Sequence, residues 1–220
     1  MSDSPHSSDI LSVRRILAEE IVLTAGGTGG IVLSALPSGG ARIMIGDASQ
    51  PRIVIGIDED GQAGLHVTDS DGNVRIRIGA KAHGAPEVEL LHRDGTPRAR
   101  VRVDEDGDAA LEVFHTSGEP AASIAVGPSA EPNLIVQDTD GRIRAAMGVT
   151  DTDVSLQFGD RGGNLRSTLI VGECGGTSLL LFDEDLKVRA DLSMQPDGKT
   201  SFEIESGEGD HGSSDSGGQR

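Results

Sequence analysis

A unit of about 23 residues repeats along most of this 220-residue chain. Each copy reads as a short alternating strand, an acidic glycine turn and a second alternating strand. Copies begin at Gln62, Ala85, Asp108, Pro132, Val154 and Thr177, with a shorter unit from Ala41 to Gly61. A half-unit, KTSFEIES, ends the series near Ser206, and the stretch from Glu20 to Leu36 fits as a divergent first unit. End units of an array are expected to be atypical, because they must cap an open end.

Inside a unit the period is two. Leu65 and Val67 alternate with Gly64 and His66, and Val74, Ile76 and Ile78 alternate with Asn73, Arg75 and Arg77. Val88 and Leu90 alternate with Glu87 and Glu89, and Ala99, Val101 and Val103 with Arg98, Arg100 and Arg102. Strict alternation predicts half-buried antiparallel strands with one apolar and one solvated face. Arg and Glu on the solvated face can pair across strands and help to fix register. The turns between strands end in Asp-Gly: Asp71-Gly72, Asp94-Gly95, Asp140-Gly141 and Asp60-Gly61. Asp-Gly predicts type I′ hairpin turns, which need positive φ at both central residues. Seventeen or so short strands in a meander follow. The chain divides into an N-terminal segment with a short helix (1–19), a β-hairpin repeat domain (20–206) and an acidic Gly/Ser tail (207–220) expected to be disordered. Ser8 or Asp9 would cap the helix, with Ile10, Val13, Ile16 and Leu17 on one face.

Aromatics are confined to Phe114, Phe158, Phe182 and Phe202, so any core must be built from Val, Ile, Leu and Ala. The net charge of −17 repels phosphate backbones and anionic membrane surfaces, which argues against nucleic-acid binding. Charge of this size also keeps long sheets from sticking edge to edge. Cys174 has no second cysteine for an intrachain disulfide. No signal peptide and no apolar run of about 18 residues is present, so the expected location is the cytoplasm, or a particle or fibre released without a classical signal.

Three kinds of chemistry can be weighed against this pattern. The acidic turns resemble fragments of calcium loops, which nominates Asp69, Asp71, Asp138 and Asp140 as cation ligands. They lack the spaced twelfth-position Glu and flanking helices of an EF-hand, and hairpin geometry accounts for them without a metal. His66, His83, His92 and His115 fall in separate units and form no metal or acid–base pair, and Cys174 in GECGG has no partner that can be named. The run Gly26-Gly27-Thr28-Gly29-Gly30 follows an apolar strand as a dinucleotide loop would, but IVLSAL after it reads as a strand, not a helix. No catalytic residue, cofactor site or cofactor is expected.

A meander with one apolar face must cover that face. It can roll up as a single-chain solenoid or barrel, form the blades of a β-propeller, or meet the same face of other chains on an axis. Missing aromatic signatures weigh against a propeller, and a closed seventeen-stranded barrel would have too wide a lumen for small aliphatics. The expected fold is therefore all-β, a repetitive antiparallel β-hairpin array forming a trimeric β-prism or solenoid-like rod.

The pattern D-x-D-G-x-x-R (Asp69, Asp71, Gly72, Arg75; Asp138, Asp140, Gly141, Arg144; partly Asp183, Asp185, Arg189) resembles uncharacterised bacterial β-repeat proteins, over Ala18 to Ser206. The build is also similar, in architecture alone, to the trimeric β-structured shafts of phage fibres and adhesins. Those resemblances bring no assigned activity; the one-sided strand pattern without cover points to a non-enzymatic structural or interaction scaffold, self-associated as a homotrimer, with an unidentified protein or glycan partner. A monomeric β-propeller or solenoid binding a glycan or peptide is the alternative.

Overall fold

A computed structural model of the chain describes residues 15–24, 29–37, 39–47, 50–57, 60–80, 84–127 and 131–205. They form one sheet of seventeen strands. In order these are β1 (Glu20–Thr24), β2 (Gly29–Ala35), β3 (Ala41–Asp47), β4 (Gln50–Ile57), β5 (Ala63–Thr68), β6 (Val74–Ala80), β7 (Pro86–Leu91), β8 (Pro97–Val103) and β9 (Ala109–Phe114), followed by β10 (Pro120–Val126), β11 (Pro132–Gln137), β12 (Ile143–Val149), β13 (Val154–Gly159), β14 (Leu165–Val171), β15 (Thr177–Phe182), β16 (Val188–Met194) and β17 (Thr200–Ile204).

Every strand pairs antiparallel with the next in sequence, from β1 with β2 to β16 with β17. Strands in contact are always sequence neighbours. The sheet is all-β and continuous, so the separate four-stranded blades of a propeller do not occur. Arg15 to Ala18 enter β1 without helical structure; the rest of the expected helix, and the tail from 206 on, lie outside the described residues.

The turns differ from the type I′ expectation, and the difference has a simple cause. In the β5–β6 turn, Asp69 N–H donates to Asn73 O and Gly72 N–H donates to Asp69 O. The same pair of bonds recurs at positions such as 92–96, 138–142 and 160–164. This is a three-residue loop: a type I turn followed by one residue in the left-handed region. Only that residue has positive φ, for example Gly72 at 86° and Gly141 at 77°. The Asp before it stays right-handed. Leu186 at φ 60° takes the glycine position in the turn from Asp183 to Lys187.

The first Asp of the motif organises the loop. Asp69 Oδ1 accepts the N–H groups of Asp71 and Asn73, both at 3.0 Å. Asp104, Asp138, Asp160 and Asp183 do the same two and four residues on. The Arg of the motif sits where the register slips. The pairings jump past Arg52, Arg75, Arg98, Arg144, Arg166 and Arg189, leaving each as the extra residue of a β-bulge. From there the guanidinium reaches its own turn or the next unit. Arg75 donates to Leu91 O at 2.9 Å and to Asp69 Oδ2 at 3.3 Å. Arg166 and Arg189 reach Asp160 and Asp183 at 2.8 and 2.6 Å, and Arg52 reaches Thr68 O at 3.0 Å.

A left-handed backbone costs an L-residue about 1 kcal/mol relative to glycine. Leu186→Gly is therefore expected to stabilise the protein by about that amount and Gly141→Ala to destabilise it similarly, as read from unfolding midpoints at fixed protein concentration.

Candidate functional site

The register places the aliphatic residues in rows that cross the whole sheet. One row takes a residue from every strand: Ile21 faces Leu33, Leu33 faces Ile43, and Ile43 faces Ile55. It continues to Leu156, Leu169, Leu179, Leu192 and Phe202 at the far edge. Val, Ile, Leu, Met or Phe fills each position, with no small or polar residue. Parallel rows flank it. One alternates large residues with Ala99, Ala122, Ala145, Ser167 and Ala190.

This face is uncovered. Ile124 is 51% exposed, Leu169 44% and Phe202 64%. Apart from Ile16, Leu17, Val22, Ile143, Leu186 and Val188, the exposed large hydrophobics all lie on it. At about 4.8 Å per strand and about 7 Å between rows, the strip is on the order of 80 Å long and 15 Å wide. That area, on the order of 1,000 Å², exceeds the 300–600 Å² of the largest apolar patch on a typical monomer.

The opposite face carries the charges, and it is the less exposed of the two. In its central row His66 faces Arg77, Arg77 faces Glu89, Glu89 faces Arg100 and Arg100 faces Glu112. Glu89 is only 6% exposed. Its carboxylate lies 2.7 Å from Arg77 Nη1 and 3.3 Å from Arg100 Nε. Arg100 and Arg102 each stand 3.6 Å from Glu112 Oε2, and the Arg100 guanidinium lies 5.0 Å over the Phe114 ring. Alternating signs let long side chains cover one another, so the expected fully solvated outer face becomes an interlocked ion-pair ladder.

The individually nominated residues do not converge. Asp69 and Asp138 have their carboxylates engaged by turn N–H groups and by Arg75 and Arg144. Asp71 and Asp140 are exposed, and Asp140 pairs with Arg142. Among the described residues no group of three His, Cys, Asp or Glu side chains is placed to hold a metal ion. His92 Nδ1 lies 3.0 Å from Asp94, His115 Nε2 lies 3.2 Å from Gln137 O, and Cys174 is exposed. His83 and Gly26 to Thr28 lie outside the described residues; Gly29 and Gly30 open β2.

The turn carboxylates are tuned by their donors. The Asn164 N–H, with Arg166 and the Gly162 N–H behind it, brings Asp160 down to about 2 against opposing desolvation. The Lys187 N–H is the main cause of the lowering of Asp183, and the Thr96 hydroxyl of that of Asp94. At Asp69, desolvation pushes upward most, but the donors around it together outweigh this.

No protein-family model matches the sequence, and no curated protein is significantly similar to it. Among solved structures, the TCP domain of SAS-4 (dCPAP) in complex with a proline-rich motif of Ana2 (dSTIL) of Drosophila melanogaster aligns with 89% of this chain and 97% of its own, at 12% identity and a TM-score of 0.34. A TcdB2–TccC3–Cdc42 structure aligns with 79% of this chain and 15% of its own, at 10% identity and a TM-score of 0.17. Likenesses this loose carry no argument about the chain.

A carboxyl whose folded value lies below its unfolded value stabilises the fold above the unfolded value, and loses that contribution as pH falls through the folded one. Asp160→Asn should therefore be less stable than the parent near neutral pH, and the gap should close between about pH 4 and pH 2 in unfolding measurements. Removing Glu89 leaves Arg77 and Arg100 without their shared anion. Glu89→Ala is expected to cost about 3 kcal/mol, measurable in urea.

Proposed function

We propose that the chain is a non-enzymatic structural or interaction protein that works as a homo-oligomer, three copies meeting along the aliphatic face. The unbroken central row carries this reading. A row of seventeen large apolar side chains, twelve of them exposed in the single chain, has the form of half an interface. Covering it would bury on the order of 1,000 Å² per chain, against the roughly 800 Å² per partner of a standard stable interface.

Side-chain size favours three copies over two. Two parallel faces enclose a core of even depth across the strip. Three faces around an axis enclose a core that is deepest above the middle of each face and tapers toward the corners. The large residues lie in the middle here, and Ala, Ser and Thr gather in the flanking rows (Ala99, Ala122 and Ser167 on one side, Ala109, Thr177 and Thr200 on the other). The ion-pair face and the acidic turns would then form the outside of a charged rod, serving as a scaffold or as a segment of a particle or fibre.

Light scattering tests the reading directly. The expected mass is close to three times that of the 22.8 kDa chain, independent of concentration in the micromolar range. Ile124→Glu and Leu169→Glu, each already about half exposed in the single chain, should reduce the mass toward 22.8 kDa while retaining β-sheet circular dichroism. A folded parent of 22.8 kDa would overturn the proposal.

A further inference from the structure

β17 is an edge of the sheet. It pairs with β16 on one side and has no other neighbour among the described residues. All of its residues are exposed, Phe202 at 64% and Ile204 at 66%. An edge strand offers a row of unpaired backbone N–H and C=O groups, which natural proteins blunt with proline, lysine or a bulge. Thr200–Ile204 contains no proline or lysine, and its pairing with β16 runs without a register shift.

The side chains indicate what belongs beside it. Phe202 and Ile204 end the aliphatic rows, facing Leu192 and Ala190, and Glu203 stands between them on the polar face. Glu203 faces Asp191, and two carboxylates directly opposite each other form an unfavourable cross-strand pair. One oxygen of Asp191 is buried and accepts no hydrogen bond. The cations nearest in these two strands are engaged elsewhere, Arg189 with Asp183 and Lys199 with Asp197. The same apolar–Glu–apolar order occurs in β7 as Val88-Glu89-Leu90, and there both flanking strands are present. Ile76-Arg77-Ile78 lies on one side and Ala99-Arg100-Val101 on the other, with both guanidinium groups within 3.3 Å of Glu89. β17 has the carboxylate and lacks the arginine strand.

We propose that β17 takes up an extended segment of another protein as a further antiparallel strand. Its pattern is apolar–Arg–apolar, with the arginine facing Glu203 and the apolar residues continuing the rows of Phe202 and Ile204. The added backbone satisfies the open edge, and the guanidinium offsets the repulsion between Asp191 and Glu203. Copies of this chain do not offer that pattern at their own edges. A second β17 would set Glu203 and Glu205 against an equally acidic strand, and β1 would bring Val22, between Ile21 and Leu23, against Glu203. Residues 206–220 contain no Val, Ile, Leu, Met or Phe. The edge is open in the single chain and in an assembly through the aliphatic face alike, so the site does not depend on the trimer.

Fluorescence anisotropy of the full chain with a labelled, end-blocked Thr-Ile-Arg-Ile-Thr peptide tests the assignment. Saturable binding is expected, with a Kd of about 1 mM or tighter. The matching peptide with a central glutamate should bind roughly tenfold more weakly. Glu203→Gln should shrink that preference, and Glu203→Lys should invert it. Methylating the backbone nitrogens along one edge of the peptide should abolish binding, and along the other edge should not. Absence of saturable binding, equal binding of the two peptides, a preference unchanged by Glu203→Lys, or tolerance of methylation on both edges would each overturn the proposal. So would end-to-end association of the chain that Glu203→Lys alters while no peptide binds, because the edge would then belong to a second copy.

Discussion

Strand register is the constraint from which the other properties of this molecule follow. Side chains alternate with a period of two, so a slip of one residue at any of the pairings would send the aliphatic row to the charged face. Among the described residues no helix or second layer is present to correct such an error. The chain meets the problem locally, at each hairpin. The motif Asp accepts two backbone N–H groups and fixes a three-residue loop, and the motif Arg occupies the bulge that the loop imposes. Where that Arg donates to a carbonyl of the following strand, as Arg75 does to Leu91, it ties one hairpin to the next. The conspicuous D-x-D-G-x-x-R pattern is thus a registration device, and the rows on both faces are its product.

With register secured, the two faces diverge in character. The aliphatic face keeps a large apolar residue in its central row from edge to edge. The polar face changes along the sheet: Val22, Val32, Met44 and Val54 occupy its central row first, then the ladder from His66 to Glu112, then a mixed series through Ile135, Gln157 and Leu180. A face that is the same in every unit suits contact with copies of itself. One that varies from unit to unit provides distinct local environments. Among the described residues, buried Glu89 and the cross-strand glycines Gly56, Gly64 and Gly79 belong to the varied face, each in one place.

Much of the architecture could be read from the residues. Alternation at Val74, Ile76 and Ile78, broken by Asp-x-Asp-Gly, is enough to specify hairpins, and the absence of helical periodicity beyond Glu20 is enough to specify an all-β chain. What escaped was whatever depends on how strands are placed side by side. Asp-Gly favours a two-residue turn in isolation, but the Asp carboxylate's own bonds to the backbone select the longer loop. Leu186 in a left-handed conformation follows from its neighbours at 183 and 187, not from its own preference. Glu89 reads as a solvated strand residue until Arg77 and Arg100 are seen on either side of it. Gly56, Gly64 and Gly79 lie in three different strands, and only the pairing register aligns them. Their one signal in the sequence was glycine inside otherwise regular strands, which is a known mark of close backbone approach.

Because contacting strands are always neighbours in sequence, nothing in the sheet measures its total length. Removing or duplicating a whole unit would leave every surviving pair, turn and clip as it was, and would change the span by two strand spacings, about 10 Å. Gain or loss of one residue inside a strand has no such neutrality. The number of units is therefore a coarse dial on which duplication and deletion can act in single steps. The chain is built as a ruler whose graduations are hairpins, and its cross-section is indifferent to how many it carries.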